Sequence, residues 1–582
     1  MSTTLTTLSP SLPWPIRSCD RGECARLASE AGVPEAVAAL LLNRDITSPE
    51  AARAFLHPSL SDLPAPNLMQ DMAKAVELVT GAIREGRPIV IYGDYDVDGL
   101  TGSAVLSLFL RRAGATVQAL QPDRLRDGYG LHAHLLAEVR KGIPPEAMPL
   151  LITVDCGITS HEAVAAAREL GFTVIVTDHH QPEADLPAAD AVLNPHRPDC
   201  PFPFKDLAGV GVAFYLVMGL RSRLVAEGFW ESPPNLKEYL DLVALGTVAD
   251  MVELTAVNRV LVKAGLEVLT RRKRVGVASL GAIAGLSGAI RGDDIAYRLA
   301  PRLNAASRLG SAAAAFVLLT TEDQEQARLL AQELDQANRR RRELGETLYD
   351  AVQPRAQAAV AAGKGILIFA DEGWHPGVLG IVATRLTREF HRPALVFAIR
   401  DGVAKGSGRS VEGIDLLGML ACAAGTLQGY GGHPMALGAT LAVEDLPEFV
   451  ATMEGVAAMV RPAVAPLLTV ELLPGNKELN ELIAWYPQLE PFGVGNPEPI
   501  LAGQGVPHNV RVVGGRHARF QWPLSGQHHE AILFNRIVGQ QPGNGQAATP
   551  VSFAFSLRRN AFQGRENWQL HGHDISSQPP DF

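Results

Sequence analysis

The sequence predicts an α/β fold, a parallel-sheet domain joined by a long helix to a smaller α/β domain and followed by a small C-terminal β-barrel. Three observations predict it. Apolar runs that end in carboxylates or histidines alternate with helical, often Ala-rich segments. A charged stretch of helical spacing then runs from Thr321 without proline until Pro354. After about Pro462 short alternating segments are punctuated by Gly and Pro.

Each element follows in chain order. From Pro88 to Tyr92 an apolar run reaches Asp94-Tyr95-Asp96-Val97-Asp98-Gly99, and Leu100 to Arg112 has helical spacing, giving strand, loop and helix. The pattern repeats: Leu150 to Val154 runs into Asp155, and Phe172 to Thr177 runs into Asp178-His179-His180. In such sheets ligands bind beyond the carboxyl ends of the strands, where all three clusters fall. Asp250 follows a helical stretch, Leu236 to Val248, so it has to reach the same place from a helix end or the next loop.

Thr321 to roughly Ala361 reads as the connecting helix. A second α/β unit follows, with strands Gly365 to Ala370 and Pro393 to Ile399, a helix Gly377 to Phe390, and then Gly406-Ser407-Gly408-Arg409-Ser410. Val510 to Val513, Ala531 to Phe534 and Val551 to Leu557 read as barrel strands. The expected division is 1–320, 321–361, 362–462 and 463–582.

Composition bounds the class without giving a function. With 582 residues the chain exceeds one core, and 47% hydrophobic against 20% charged residues is ordinary for a globular protein. A net charge of -10 disfavours a phosphate-backbone partner unless carboxylates are gathered at a metal site. Cys19, Cys24, Cys156, Cys200 and Cys422 are scattered, so neither a zinc site nor a disulfide framework is expected, and a reducing cytoplasm is the simplest compartment. Met1 to Arg17 lacks the pattern of a secretory signal. Leu207 to Leu220 and Val275 to Ile290 fall short of the ~20 residues of a membrane span and read as buried packing segments.

The chemistry lies in the clusters. Asp94, Asp96 and Asp98 alternate in a loop and can share a cation, or can be a solvated turn; Gly99 permits the close turn into the helix. Asp155 ends an apolar strand, where an unpaired carboxylate is costly, so it needs a cation or an Arg partner. His179 and His180 can diverge, one toward a metal and one toward a phosphate, or be a plain loop pair. Two cations ~3.5–4 Å apart suit phosphodiester hydrolysis, with Asp155 the candidate bridge.

Pro301-Arg302-Leu303-Asn304-Ala305-Ala306-Ser307-Arg308 and Ser407-Gly408-Arg409-Ser410 suit bidentate phosphate contacts or interdomain salt bridges. Gly431-Gly432-His433-Pro434 offers backbone N–H groups and an imidazole. Tyr129, Phe553, Phe555, Phe562 and Trp568 could stack on bases with Arg558, Arg559 and Arg565 interleaved, although most of the phenylalanines fit a barrel core better.

Asp94-Tyr-Asp-Val-Asp-Gly, Val-Asp155-Cys-Gly, Asp178-His-His and Asp250 resemble the four motifs of the DHH phosphoesterases, and Gly431-Gly-His-Pro resembles the companion DHHA1 domain. Phe55-Leu-His-Pro-Ser, Gly373-Trp-His-Pro-Gly-Val-Leu-Gly-Ile-Val and Pro491-Phe-Gly-Val-Gly-Asn-Pro-Glu-Pro are similar to the single-strand-specific exonuclease branch of that family. Asn560-Ala-Phe-Gln-Gly-Arg-Glu-Asn-Trp-Gln-Leu resembles the end of its OB-type β-barrel, a nucleic-acid-binding OB-fold. The resemblance implies a DHH domain, a DHHA1 domain and an OB domain in that order.

It further implies a single-stranded-DNA-specific 5′-to-3′ exonuclease of DNA repair and recombination, releasing mononucleotides with two Mn²⁺ or Mg²⁺ ions. By the same resemblance Asp96, Asp98, Asp155, His179 and Asp250 match metal positions, Asp94 supports their loop and His180 contacts phosphate, with Asp155, Asp98, His179 and His180 the catalytic set. Arg124, Arg302, Asn304, Arg308, Ser407, Arg409, Gly432 and His433 fall to DNA or its 5′ phosphate, and Tyr129 to the strand entrance. Single-stranded DNA is the implied partner, a single-strand-binding protein and a RecQ-type helicase are candidate recruiters, and a monomer is expected. Tyr92 departs from a frequent metal-binding His and Ser307 from a frequent Gly. A phosphodiesterase for short RNA or cyclic dinucleotides is disfavoured by the barrel and long linker, and a non-hydrolytic scaffold by the intact carboxylates and histidines.

Overall fold

Five parallel strands carry the first domain: β1 (Ile89–Gly93), β2 (Val117–Leu120), β3 (Leu150–Val154), β4 (Thr173–Thr177) and β5 (Ala191–Leu193), in the order β2-β1-β3-β4-β5. The computed structural model describes residues 14–17, 19–460, 468–524, 526–534, 536, 550–562 and 565–576. Most of the segment Met1 to Arg17, the boundary at 462/463 and the side chains of Phe562 and Arg565 lie outside the described residues. Strands β1 and β3 are buried along their whole length, as continuous apolar runs in a parallel sheet require. Their alternate side chains feed two cores. Ile89, Ile91, Leu150 and Ile152 face the helices Val97–Arg112, Gly209–Ala226 and Leu240–Asp250, while Val90, Tyr92 and Leu151 pack with Leu136 and Val164 on the other side. The order reverses between β1 and β3, so a crevice opens at their carboxyl ends.

Helix Gly209–Ala226 is long and apolar enough to cross a membrane, yet it lies in the core of this domain, where 11 of its residues are buried, as its Gly-rich start suggested. The connecting helix runs Gln324–Ala361, started by Asp323 accepting from Gln326 N at 2.7 Å. Ala327, Ala331 and Leu334 belong to the first domain's core, and Leu348, Val352 and Ala356 to the second domain's. One helix therefore shares two cores.

The second domain holds β6 (Leu367–Asp371), β7 (Ala394–Arg400), β8 (Val403–Arg409), β9 (Gly429–His433) and β10 (Ala436–Ala442), in the order β6-β7-β8-β10-β9. Only β6 and β7 pair in parallel. The C-terminal sheet joins β11 (Leu501–Gly505), β12 (His508–Val513), β13 (His517–Leu524), β14 (Gln527–Leu533), β15 (Val551–Phe562) and β16 (Arg565–Ser576), in the order β11-β15-β16-β14-β13-β12. The N-terminal helices Arg21–Ala31, Glu35–Leu42 and Pro49–Leu56 pack into this sheet's core, where Leu27, Val37, Leu40 and Leu56 meet Leu479, Tyr486, Trp522 and Phe553. The two ends of the described chain thus form one module.

The expectation of scattered cysteines without a disulfide framework is corrected at one pair: Cys19 and Cys24 form a disulfide. Asp20 caps helix Arg21–Ala31 by accepting from Glu23 N, and the turn it sets brings Cys24, at the helix start, back to Cys19. Cys156, Cys200 and Cys422 are free.

Candidate metal centre

The loop after β1 delivers three carboxylates. Asp96 caps helix Val97–Arg112, accepting from Asp98 N at 3.0 Å and Gly99 N at 3.2 Å, so the helix start fixes the loop. A Cβ on Gly99 would lie 2.5 Å from the Asp94 carbonyl oxygen, so only glycine closes this turn. Asp98 is buried, and its two oxygens accept from Gly209 N at 2.6 Å and Val210 N at 2.9 Å, the N-terminus of a second helix.

Asp155, just past β3, adopts φ +61, a left-handed conformation rare for a residue with a Cβ, and this turns its carboxylate into the crevice. A Cβ on Gly209 would stand 2.7 Å from Asp155 Cβ. That glycine, which sequence reasoning missed, is what lets helix Gly209–Ala226 approach. Asp250 is the last residue of helix Leu240–Asp250, ended by Met251 at φ +66, so it arrives from a helix end as expected.

His179 Nε2 lies 3.1 Å from Asp155 Oδ1, 3.7 Å from Asp250 Oδ2 and 3.8 Å from Asp98 Oδ2. Three overlapping groups, Asp155/His179/His180, Asp98/His179/Asp250 and Asp94/Asp96/Asp155, each bring ligand atoms within 4.8 Å of one another. His179 and Asp155 each belong to two of them. Asp155 Oδ1, Asp94 Oδ1 and His179 Nε2 are buried without a hydrogen-bond partner, a condition costly for polar atoms and relieved by a cation. Oxygen and imidazole donors without thiolate suit Mn²⁺ or Mg²⁺, so the residues present fit the ions.

Electrostatics point the same way. Burial first, and then neighbouring carboxylates, hold Asp94, Asp98 and Asp155 well above the usual carboxylate range. Burial and Asp96 push Asp250 up to about 7. Burial, with His180, pushes His179 down to about 4, keeping it the neutral imidazole a metal needs. Burial also disfavours the charged form of His180, but its Nδ1 is 2.7 Å from Asp178 Oδ1, which outweighs the burial and raises it to about 9. Asp178, which sequence reasoning left out of the site, also accepts from Ile158 N, His179 N and His180 N. It is the anchor of the histidine loop.

Tyr92 donates its hydroxyl to Gly130 O at 3.0 Å and so supports the loop bearing Tyr129. Tyr129 Oη lies 3.0 Å from His180 Nδ1, and the residue is 47% exposed, at the mouth of the crevice. Arg124 lies over the Tyr95 ring. Burial, followed by Arg124, Arg341 and Arg409, pushes Arg308 down to about 9, so four guanidinium groups converge beside the cluster. Among the described residues none of the four is ion-paired: Arg308 donates to Gly377 O, Arg341 to Asn338 Oδ1 and Arg409 to Gly408 O. Arg341 was hidden in the run Arg339–Arg342. Its helical phase, three residues after the buried Asn338, is the signal that singles it out.

The remaining expected residues fall in three places. Arg302 Nε is 2.9 Å from Asp335 Oδ1 on the connecting helix, the salt-bridge alternative, and Asn304 Oδ1 accepts from Val97 N at 3.2 Å, steadying the carboxylate loop. Ser407 and Arg409 flank Gly380 near the start of helix Leu379–Phe390. His433 is exposed at the end of β9, beside Gly432 at φ +131. Phe553 and Phe555 are core, Trp568 packs on Tyr486 at 5.4 Å, and Arg558 pairs with Glu498 and Asp293.

Comparison with known proteins agrees with this layout. Residues 88–247 match the DHH family, N-terminal domain, residues 362–459 the DHHA1 domain, and residues 474–574 the RecJ OB domain. The chain is 35% identical over 571 residues to the single-stranded-DNA-specific exonuclease RecJ of Bacillus subtilis, covering 97% of this chain and 70% of that protein. It is 37% identical over 580 residues to the protein of the same name from Dickeya dadantii, covering 94% and 97%. Its fold superposes on the crystal structure of RecJ in complex with Mn²⁺ from Thermus thermophilus with a TM-score of 0.81 and 33% identity, covering 98% of this chain and 80% of that one.

Proposed function

The chain belongs to the RecJ family of DHH phosphoesterases, and from that premise we propose a metal-dependent, single-stranded-DNA-specific 5′-to-3′ exonuclease that releases mononucleotides. The observation that carries the reading is the pair of buried, unsatisfied ligand atoms Asp155 Oδ1 and His179 Nε2, 3.1 Å apart amid carboxylates. Asp96, Asp98, Asp155, His179 and Asp250 would hold two Mn²⁺ or Mg²⁺ ions, Asp155 being common to two of the three ligand groups, and Asp94 would support the set. Bound there, the ions supply Lewis acidity toward a phosphodiester oxygen and acidify water.

The chain's own groups do the rest. Asp98 is fixed by the helix N-terminus at Gly209, so its lone pairs need no reordering on binding. Asp178 occupies His180 Nδ1 and keeps the ring protonated, which leaves Nε2–H as a donor to a phosphate oxygen. Tyr129 stands at the strand entrance. Arg124, Arg308, Arg341 and Arg409, without carboxylate ion pairs among the described residues, take the DNA backbone or 5′ phosphate, assisted by Ser407, Gly432 and His433; Arg302, paired with Asp335, and Asn304, accepting from Val97 N, steady the connecting helix and the carboxylate loop. This local basic cluster answers the objection raised by a net charge of -10.

We assign the part of 1–320 that follows the N-terminal helices, together with 362–462, to the two walls of the active crevice, 321–361 to the helix that spaces them, and 463–582, with helices Arg21–Ala31, Glu35–Leu42 and Pro49–Leu56 packed into its core, to strand capture. A cytoplasmic monomer serving DNA repair and recombination, recruited by a single-strand-binding protein and a RecQ-type helicase, completes the reading. Cleavage of 5′- and 3′-labelled single strands beside duplex DNA and short RNA, with Mn²⁺, Mg²⁺ or EDTA, tests it. Metal-dependent loss of nucleotides from the 5′ end of single strands is expected. Cleavage of short RNA alone would overturn it.

A further inference from the structure

Arg259 is 1% exposed, and neither it nor Lys263, one turn later on helix Ala256–Thr270, forms an ion pair among the described residues. A desolvated guanidinium without a carboxylate calls for another source of negative potential. Here it is supplied by carbonyls. Arg259 Nε donates to Phe55 O at 2.8 Å, Nη1 to Pro491 O, and Nη2 to Gln488 O at 2.8 Å, Leu489 O at 3.1 Å and Glu490 O at 3.0 Å, with its plane over the Phe55 ring at 3.7 Å. Lys263 Nζ donates to Leu56 O at 2.8 Å and Gln488 O at 3.2 Å.

Four of these six acceptors, the carbonyls of Phe55, Leu56, Gln488 and Leu489, end two helices, Pro49–Leu56 and Asn476–Leu489, whose last carbonyls lack intrahelical partners and carry the negative end of the dipole, and Glu490 O and Pro491 O follow directly on the second. Both helices belong to the module that shares its core with the C-terminal sheet. The donors belong to the domain of the metal cluster. Immediately beyond the acceptors, Val494 O accepts from Leu254 N at 2.8 Å, four residues past Asp250. A Cβ on Gly493 would stand 2.7 Å from Leu254 Cδ1, so the segment lies flush against the chain leaving the cluster.

We propose that Arg259 and Lys263 are positioning residues, a buried two-cation clasp that holds the C-terminal sheet module at a fixed distance from the metal cluster so that one strand engages both at once. The inference rests on the exonuclease reading. Two sites on one rigid frame gain affinity through effective concentration, and a loosened joint forfeits part of that gain only for ligands long enough to reach both. Strands too short to span them are indifferent.

The test compares Lys263→Met, Arg259→Lys and Lys263→Arg with the wild-type full chain. Affinity is read by fluorescence anisotropy in EDTA, on strands of about 25 and about 4 nucleotides, since a single OB-type site covers ~4–16. KM and kcat are then measured with Mn²⁺. Lys263→Met and Arg259→Lys are expected to weaken the long strand about tenfold while sparing the short strand and kcat, and Lys263→Arg to restore it. Equal weakening at both lengths, or an unchanged long-strand affinity, overturns the clasp. If Arg259→Lys fails to fold, Lys263→Met alone decides. Wild-type protein that binds both strands without cleaving either sinks the exonuclease reading, while the length dependence of binding still judges the clasp.

Discussion

His180 Nδ1 sits 2.7 Å from Asp178 Oδ1, whereas the adjacent His179 turns Nε2 to 3.1 Å from Asp155 Oδ1. Asp178 raises His180 to about 9 against its burial, while burial and then His180 lower His179 to about 4, so two neighbouring imidazoles take different protonation states. A neutral ring faces the carboxylate cluster and a cationic ring stands at its edge. Pairs of titratable groups driven apart in this way mark divided chemical roles.

Asp178→Asn removes the negative partner of His180 while leaving every proposed metal ligand in place. Burial then dominates, the ring loses its proton near neutrality, and kcat is expected to fall about 100-fold, in the range of a lost proton donor. Manganese stoichiometry, read by calorimetry, should not change.

Asp155→Ala removes the carboxylate common to two of the three ligand groups. Turnover on single-stranded DNA should fall by at least about 10³-fold. Strand affinity in EDTA should persist in an anisotropy titration, since the proposed strand contacts Arg124, Arg308, Arg341 and Arg409 are left in place.

The metal-free protein should be less stable at about pH 8 than at about pH 5. Asp94, Asp98 and Asp155 are held above the carboxylate range and Asp250 at about 7, so the folded state binds more protons than the unfolded chain between the two sets of values. Stability contributed by such groups is present below the unfolded pKa and is lost as pH rises through the folded one. Thermal melts in EDTA across this range check the sign, and added Mn²⁺ should recover the loss at the alkaline end.

Much of this was legible because strand ends write themselves plainly: Leu150 to Val154 was read with its observed bounds, and each acidic cluster follows an apolar run. The connecting helix was visible as a charged stretch with helical spacing, free of proline as far as Pro354. Gly209 was not legible, because its demand comes from Asp155, 54 residues earlier in sequence and adjacent only after folding. The union of the N-terminal helices with the C-terminal sheet was hidden for the same reason, since amphipathic helices do not name the face that covers them. The Cys19–Cys24 pairing depends on a cap geometry that spacing alone does not display.

Gly209→Ala is expected to weaken Mn²⁺ binding by about 10- to 100-fold, the range for disturbed supports of metal ligands. The new Cβ would meet Asp155 Cβ at 2.7 Å and Asp98 Oδ2 at 2.9 Å. A manganese titration of the variant measures this directly.

Arg341→Ala should lower the slope of log affinity against log salt by about 0.7, the contribution of one phosphate contact to a single strand. Arg341 lies in the connecting helix, so an unchanged slope would remove it from the strand path. Anisotropy at several salt concentrations gives the slope.

The most direct test of the central claim is a Mn²⁺ titration of metal-free protein in which bound ions and released 5′-terminal nucleotides are counted in the same sample. Two ions per chain, with cleavage appearing as they bind and both responses lost in Asp155→Ala, is the predicted result. Cleavage that persists in EDTA, or Mn²⁺ binding that Asp155→Ala leaves intact, would contradict it.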